Sequence, residues 1–273
     1  MGSSNLGLWK DIAAAYRDRL STSTADVHFG VGIPGNAVLG IVRLGKGRSA
    51  VDLGCGSGEN LVALARLGYV VTGVDGLEDQ LRAAQCLLAQ CGGRASLVVG
   101  DICDLGFLRD KSFDVVLCIG ALHFCRELDS FFEACARIIR PGGKVIVSVP
   151  HPMDMVVDVV EGPAEKLIVV HGYFPENNVL RNAHYWRKFA GRLAIGIGLT
   201  EYLHKPSALV CSMVDHGFCI DGMWEPPATP HETVPCQFQD PDPWFAEVFV
   251  QRVPQYLIVR ATYTPELRAE RAR

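Results

Sequence analysis

The stretch Val51-Asp-Leu-Gly-Cys-Gly-Ser-Gly-Glu-Asn60 decides the fold class of this chain. An apolar run, residues 49–53, enters three glycines separated by single residues, Gly54, Gly56 and Gly58, and a helical pattern of leucines follows at once. Glycines can hold positive φ and let a ligand lie against the backbone. The helix N-terminus beyond them offers free N–H groups and a positive dipole end. The sequence therefore predicts a strand, a tight turn and a helix that bind a nucleotide-like ligand carrying an anionic group.

The glycine spacing departs from the dinucleotide-binding fingerprint. That fingerprint needs a third small residue three positions after the second glycine, but Glu59 stands there and glycine comes one place early, at Gly58. A second apolar strand, residues 69–74, ends in Asp75, about twenty residues after the glycines, where an acidic side chain can bind ribose hydroxyls. The ligand is therefore expected to contain a ribose without being a dinucleotide.

Further strands alternate with helical segments. Residues 96–99 and 113–118 are apolar strands, and residues 138–148 contain a helix end, a turn and a fifth strand. This alternation is typical of a doubly wound α/β sheet. The last two strands, residues 218–224 and 255–262, fit an antiparallel hairpin at the edge of the sheet.

Over residues 45–150, the chain resembles the class I S-adenosylmethionine (SAM)-dependent methyltransferases. The motifs that carry the resemblance are Asp52–Gly58, Val74–Asp75, Gly100–Ile102, Ala121–Phe124 and Arg140–Gly143. The resemblance implies a Rossmann-like, mostly parallel sheet of seven strands with helices on both faces and a lid insertion after the fifth strand. It also implies SAM as the cofactor and S-adenosylhomocysteine as its product.

The same resemblance assigns cofactor contacts. Gly54 and Gly56 would line the methionine part, Asp75 would hold the ribose, and Asp101 would bind the adenine amino group. Leu77 and Ile102 would flank the adenine ring. Asn60 would either reach the SAM carboxylate or cap the helix. The full implied set is Tyr16, Asp52, Gly54, Cys55, Gly56, Asn60, Asp75, Gly76, Leu77, Gln80, Asp101, Ile102, Ile119 and Gly120.

Two histidines are candidates for a general base, in case the acceptor must lose a proton. His151 is the first candidate because it follows the fifth strand, and ligands bind beyond the carboxyl ends of strands in such sheets. Pro152 restricts it to an extended conformation that can aim the ring across the pocket. His123, after the fourth strand, is the second. The alternatives are a loop-shaping role for His151 and a pocket-wall role for His123.

Aromatic and histidine side chains outside the core motifs are candidates for acceptor binding. Aromatic faces attract a sulfonium and suit a flat or apolar substrate, although each of these residues is also ordinary core material. The set is Phe29, Tyr173, Phe174, His184, Tyr185, Trp186 and His204.

The chain divides into five parts by pattern. We expect an N-terminal helical cap (1–44), a SAM-binding core (45–150), a lid or substrate-binding insertion (151–203), the C-terminal part of the sheet (204–263) and a tail (264–273). Residues 1–6 read as disordered, and residues 36–44 as a helix. The long irregular section after the fifth strand is typical of a segment that covers a site.

Composition limits the partners. The net charge is −4 and no lysine- or arginine-rich block occurs, which argues against nucleic acid as the main substrate. The sequence has ten cysteines but no C-x-x-C pair, so we interpret them as buried thiols in a reducing compartment and expect no metal. No signal peptide or membrane-length apolar run is found, and we expect a soluble cytoplasmic protein that can form a homo-oligomer.

These observations favour a methyltransferase that acts on a small aromatic or apolar molecule, in a setting such as bacterial secondary metabolism. A nicotinamide-dependent oxidoreductase and a non-catalytic subunit with the SAM fold are the alternatives. The early third glycine argues against the first, and the retained glycines and ribose acid argue against the second.

Overall fold

The computed structural model describes residues 3–19, 23–160, 166–169, 171–174, 176, 179–181, 199–228 and 252–271. Within these residues, seven strands form one sheet. They are β1 (Ser49–Leu53), β2 (Val70–Asp75), β3 (Ala95–Val99), β4 (Phe113–Ile119), β5 (Ile139–Pro150), β10 (Phe218–Trp224) and β11 (Tyr256–Tyr263). Four shorter strands lie between the fifth and sixth of these: β6 (Val157–Val160), β7 (Lys166–Val169), β8 (Val179–Arg181) and β9 (Thr200–Tyr202).

The order of the strands in the sheet is β10-β11-β5-β4-β1-β2-β3. Strands β1 to β5 pair in parallel, whereas β11 pairs antiparallel with both β5 and β10. The order reverses between β1 and β4, and such a switch point opens a crevice at the carboxyl ends of the strands. The predicted doubly wound, mostly parallel sheet with an antiparallel edge hairpin is therefore confirmed.

The helices follow the strands in the expected places. They are α1 (Ser3–Arg19), α2 (Asn36–Leu39), α3 (Glu59–Arg66), α4 (Glu78–Gln90), α5 (Leu128–Ile138), α6 (Pro152–Val156), α7 (Pro206–Asp215) and α8 (Pro265–Arg271), with a 3-10 helix at Leu122–Phe124. Helices α5 and α7 pack in one core cluster through residues such as Phe131 and Leu209. Helices α3 and α4 pack in the other through residues such as Leu61 and Leu81. The sheet is thus covered on both faces.

Successive side chains of a strand point to opposite faces of the sheet, and this alternation produces the two core clusters. On β5, Val145, Val147 and Val149 belong to the first cluster and Ile146 belongs to the second. All four side chains are at most 1% exposed. A strand buried on both faces reads as a continuous apolar run, which is how the sequence was interpreted.

Several boundaries differ from the sequence expectations. Helix α1 begins at Ser3, although residues 1–6 were expected to be disordered, and the tail contains helix α8. Helix α2 ends at Leu39 instead of residue 44 because Gly40 adopts a left-handed conformation with φ of 63°. The sequence also predicts a helix over residues 244–252, which lie almost wholly outside the described residues. The section between β5 and α7 contains two antiparallel hairpins, β6–β7 and β8–β9.

No described helix has both the length and the apolar character needed to cross a membrane.

Candidate active site

The glycine turn after β1 has the backbone geometry that its sequence predicts. Gly54, Gly56 and Gly58 have φ of 79°, 52° and 90°. The N–H groups of Gly54 and Cys55 both donate to the carbonyl of Val74, at 2.8 and 3.0 Å, so the turn is fastened to the end of β2. A Cβ on Gly54 would lie 2.5 Å from the Cβ of Ala121, whereas a Cβ on Gly56 would meet no atom within 4 Å. Gly56 therefore presents bare backbone to open space, where a ligand can approach.

Asp75, at the end of β2, holds this turn in place. Its Oδ2 accepts the N–H of Gly56 at 2.9 Å and its Oδ1 accepts the N–H of Leu77 at 2.9 Å. Burial raises the pKa of Asp75, and the backbone N–H donors oppose the rise. Each carboxylate oxygen has a second lone pair, so the side chain can accept ribose hydroxyls while it keeps both backbone bonds.

A cavity opens at the carboxyl ends of β1, β2 and β4. Most residues of the implied cofactor set line it: Asp52, Gly54, Cys55, Gly56, Asn60, Asp75, Leu77, Gln80, Ile119 and Gly120. The sequence-predicted set is thus largely brought together in one place. We call this part of the cavity the glycine-turn end.

Three described residues of the implied set do not line the cavity. Ile102 is 3% exposed and packs in the hydrophobic core. Asp101 accepts the N–H of Cys103 at 2.9 Å, and Gly76 lies beneath Leu6, whose side chain a Cβ on Gly76 would meet at 2.6 Å. Tyr16 belongs to α1, but its side chain lies outside the described residues.

A second, mainly apolar group of lining residues, which we call the cap end, consists of Leu6, Trp9, Ala121 and Phe124. Leu6 and Trp9 were not identified from the sequence as site residues. Trp9 packs edge-on against Phe124 with 5.7 Å between ring centroids. Helix α1 is fastened there by Asn5, whose side chain donates to the Thr200 carbonyl and accepts the Thr200 N–H. The N-terminal helix therefore contributes two side chains to the cavity lining.

Acidic groups dominate the glycine-turn end. Burial raises the pKa of Asp52 to about 7, and the charges of Asp75 and Glu59 add to the rise. The same burial and the neighbouring acids raise the pKa of the Cys55 thiol, which therefore stays protonated. A cation with hydrogen-bonding groups suits this environment, and SAM carries both a sulfonium and an ammonium.

Asn60 is already engaged and introduces a residue that the sequence reading passed over. Its Oδ1 accepts the His28 N–H at 2.9 Å, and its Nδ2 donates to the His28 carbonyl at 3.1 Å. Asn60 is 4% exposed, so it clamps the loop that carries His28. His28 lines the cavity, together with Gly30, Val31 and Tyr256. The only sequence signal for it is the glycine-rich stretch at residues 28–35.

His151 has both ring nitrogens occupied. Its Nδ1 accepts the N–H of Met153 at 3.0 Å, which caps α6, and its Nε2 bonds to Glu225 Oε1 at 2.8 Å. Since Nδ1 accepts, Nε2 carries the proton and donates to the carboxylate. His151 does not line the cavity. This geometry favours a structural role over the predicted base.

His123 has a buried acidic partner from a distant segment. Its Nε2 lies 3.4 Å from Oε1 of Glu201 on β9, and the two side chains are 6% and 3% exposed. Among the described residues, His123 Nδ1 and Glu201 Oε2 have no hydrogen-bond partner. His123 does not itself line the cavity, but its ring packs on Phe124 with 4.0 Å between centroids, and Phe124 does. Glu201 was missed from the sequence because nothing near it in the chain marks it.

The predicted acceptor-binding residues are not gathered in the cavity. Phe29 is fully buried in the core, and the Nε2 of His204 donates to the carbonyls of Leu122 and Cys125 at 3.3 and 2.9 Å. Burial lowers the pKa of His204 to about 4, so this ring is a neutral brace of the 3-10 helix. Tyr173 and Phe174 pack against each other beside Lys205, away from the cavity. His184, Tyr185 and Trp186 lie outside the described residues.

Among the described residues there is no group of three or more histidine, cysteine, aspartate or glutamate side chains placed to hold a metal ion. The described cysteines are free thiols.

Comparison with known proteins agrees with this geometry. Residues 51–147 match the family model described as "Methyltransferase domain". A crystal structure of an S-adenosylmethionine-dependent methyltransferase from Mesorhizobium loti superposes with a TM-score of 0.65 at 21% identity, over 83% of this chain and 95% of that one. Over residues 51–147 the chain therefore resembles a methyltransferase domain, and its fold is that of the Mesorhizobium loti protein. The glycine turn with Asp75 fits SAM, the group on which that protein depends.

Two further relatives bear on the chemistry of this methyltransferase domain. A ubiquinone biosynthesis O-methyltransferase from Idiomarina loihiensis is 34% identical over 102 residues, which are 37% of this chain and 42% of that protein. The chain thus matches less than half the length of this curated relative. The geranyl diphosphate C-methyltransferase of Streptomyces coelicolor superposes with a TM-score of 0.59 at 15% identity, over 94% of this chain and 98% of that one.

Proposed function

We propose that this protein is a SAM-dependent methyltransferase that methylates a hydroxyl group of a small aromatic or apolar molecule. The observation that carries the proposal is one cavity that is lined both by the glycine turn with Asp75 and by the apolar side chains of Leu6, Trp9, Ala121 and Phe124. The first group suits a nucleoside and the second suits an apolar acceptor. The O-methyltransferase name of the curated relative supports the choice of oxygen.

SAM supplies, when bound, a methyl group activated by its sulfonium. The protein has to align the acceptor with that methyl group and exclude water, because orientation and desolvation supply much of the rate in such displacements. Helix α1 does this by covering the cavity with Leu6 and Trp9. The acidic glycine-turn end fixes the other side of the cofactor.

We assign the role of base to His123, with Glu201 as its positioning residue. If Glu201 accepts the Nε2 proton of His123, Nδ1 keeps a free lone pair. The acceptor oxygen then forms its bond to the methyl carbon as the carbon–sulfur bond breaks and its electron pair stays on sulfur. The hydroxyl proton passes to Nδ1, and the Glu201 carboxylate stabilises the imidazolium that results. This is the base–orienter arrangement of general base catalysis.

The relatives do not support a role in secondary metabolism, since the curated ones are named for ubiquinone biosynthesis. The cytoplasmic location and the homo-oligomer remain predictions.

The test is methyl transfer from isotopically labelled SAM to a panel of phenols, catechols, enols and apolar alcohols. We expect label on oxygen in at least one class, identified by mass spectrometry and NMR of the product. Label on carbon would overturn the choice of oxygen. Binding of NAD(P) in preference to SAM would overturn the methyltransferase itself and favour an oxidoreductase. SAM binding with no transfer to any acceptor class would favour the non-catalytic subunit.

A further inference from the structure

We infer that His28 binds the carboxylate of the methionine part of SAM and makes cofactor affinity depend on pH. This inference rests on the proposed use of SAM. It begins from a mismatch of charge: SAM carries one carboxylate, while Asp52, Glu59 and Asp75 all line the cavity. Of the described residues that line it, His28 alone can carry a positive charge.

Two hydrogen bonds fix the backbone of His28 at the cavity. Asn60, in the first turn of α3, holds both the N–H and the carbonyl of His28. His28 lines the cavity together with Glu59 and Asn60 at the start of α3, where free N–H groups also favour an anion. Asn60 was predicted either to reach the carboxylate or to cap the helix. With its amide committed to the backbone of His28, that role passes to the side chain that it positions.

The carboxylate of Glu59 is only partly available to bind the His28 ring in place of the ligand carboxylate. Its Oε1 already accepts the Ser57 hydroxyl at 2.8 Å, at the glycine turn. The carboxylates of Glu59 and Asp26 raise the pKa of His28, while burial lowers it more. The other titratable groups that line the cavity are Asp52, Cys55, Asp75 and Tyr256.

The direction of the pH effect follows from these groups. Because burial lowers the pKa, the free ring is mostly neutral near pH 7. A carboxylate placed against it favours the imidazolium, so binding takes up a proton. Affinity for a ligand with the carboxylate should therefore fall as pH rises, relative to a ligand without it. Asp52 titrates in the same range, and its charge at high pH also repels a ligand carboxylate, so the contribution of His28 is the part of the pH dependence that a His28 variant loses.

The experiment compares two probes by calorimetry: S-adenosylhomocysteine and its decarboxylated form, which keeps the amine and the nucleoside. In the wild type we expect the intact probe to bind more tightly, with a preference that grows several-fold from pH 8 to pH 6. His28→Ala should weaken the intact probe by about tenfold to hundredfold, the usual cost of a charge-assisted hydrogen bond. The decarboxylated probe should bind this variant as it binds the wild type, which shows that the cavity remains folded.

Two variants sharpen the result. His28→Gln keeps a neutral donor, so it should retain part of the preference for the intact probe but lose its pH dependence. His216→Ala is the matched control, because His216 lies on the C-terminal side of α7 and bonds to the Ser212 carbonyl. Equal weakening of both probes in His28→Ala, or a preference that does not change with pH, overturns the inference while SAM binding stands. Failure of both probes to bind the wild type overturns SAM binding itself, and the inference with it.

Discussion

The glycine-turn end and the cap end of the cavity are assembled in different ways. At the glycine-turn end, Gly54, Gly56 and Asp75 lie within one strand–helix–strand unit, in which Gly54 donates its N–H to the Val74 carbonyl and Gly56 donates its N–H to the Asp75 carboxylate. At the cap end, α1 meets β9 through Asn5 and Thr200, which are 195 residues apart in the chain. The first is fixed by local turn geometry, and the second depends on tertiary packing. If the proposed function holds, changes at the first should alter cofactor affinity and changes at the second should alter turnover.

The largest effect is expected beside the cap end, at His123. His123→Gln should lower turnover by about 10²–10⁴-fold, the range for loss of a positioned general base, while S-adenosylhomocysteine affinity changes little. Glu201→Gln keeps the shape of the partner but removes its charge, so it should lower kcat less, with KM for the acceptor nearly unchanged. Steady-state kinetics and calorimetry check both variants. Equal losses of cofactor affinity and turnover would make His123 a pocket-wall residue.

The next effect concerns stability at the glycine-turn end. Burial raises the pKa of Asp52 to about 7, so the folded state holds this proton over a pH range in which the unfolded chain releases it. The stabilisation is complete below about pH 4 and is lost as pH rises through about 7. Asp52→Asn mimics the protonated acid. The free energy of unfolding of this variant should match that of the wild type at low pH and exceed it at pH 8. The difference should be less than the roughly 4 kcal/mol that the full shift in the pKa of Asp52 would give.

Thermal unfolding of both proteins across pH 4 to 8 measures this difference. Asp221→Asn is a useful comparison because hydrogen bonds from Lys144, Thr262 and Arg260 lower the pKa of Asp221. Its effect should have the opposite sign, with the variant less stable at high pH. A difference between Asp52→Asn and the wild type that does not change with pH would contradict the buried, protonated state of Asp52.

A smaller effect is expected for the ribose acid. Asp75→Ala removes an acceptor for the ribose hydroxyls and frees the N–H groups of Gly56 and Leu77. Cofactor affinity should fall by about tenfold to hundredfold, from the loss of hydrogen bonds to a charged group. Asp101→Ala is the matched control, because Asp101 does not line the cavity. If calorimetry shows equal losses of cofactor affinity for the two variants, Asp101 belongs to the cofactor site, as the family resemblance implies.

The sequence predicted the core sheet and the glycine-turn end because both depend on local pattern. Continuous apolar runs mark strands buried on two faces, and the three glycines require the positive φ that they adopt. The cap end was not predictable in the same way. Glu201 stands in a three-residue strand with no motif around it. Leu6 and Trp9 lie in the predicted N-terminal cap, but nothing in the pattern singles them out as cavity residues. Only the tertiary fold brings Leu6 and Trp9 to the cavity and Glu201 to His123.

The smallest effect is expected at His151, the residue that the sequence favoured as the base. Its Nδ1 caps α6 through the Met153 N–H, and its Nε2–H donates to Glu225, which is 56% exposed. Loss of a helix cap costs about 1 kcal/mol, and a bond to an exposed carboxylate adds little because solvent screens it. His151→Ala should therefore lower the unfolding midpoint by a few degrees and change turnover by less than about threefold, well below the range of a lost base. Glu225→Gln, which keeps the cap, should be nearly neutral in both. A hundredfold loss of turnover in His151→Ala at unchanged cofactor affinity would return the base to this histidine and leave the His123–Glu201 pair a structural tie between the 3-10 helix and β9.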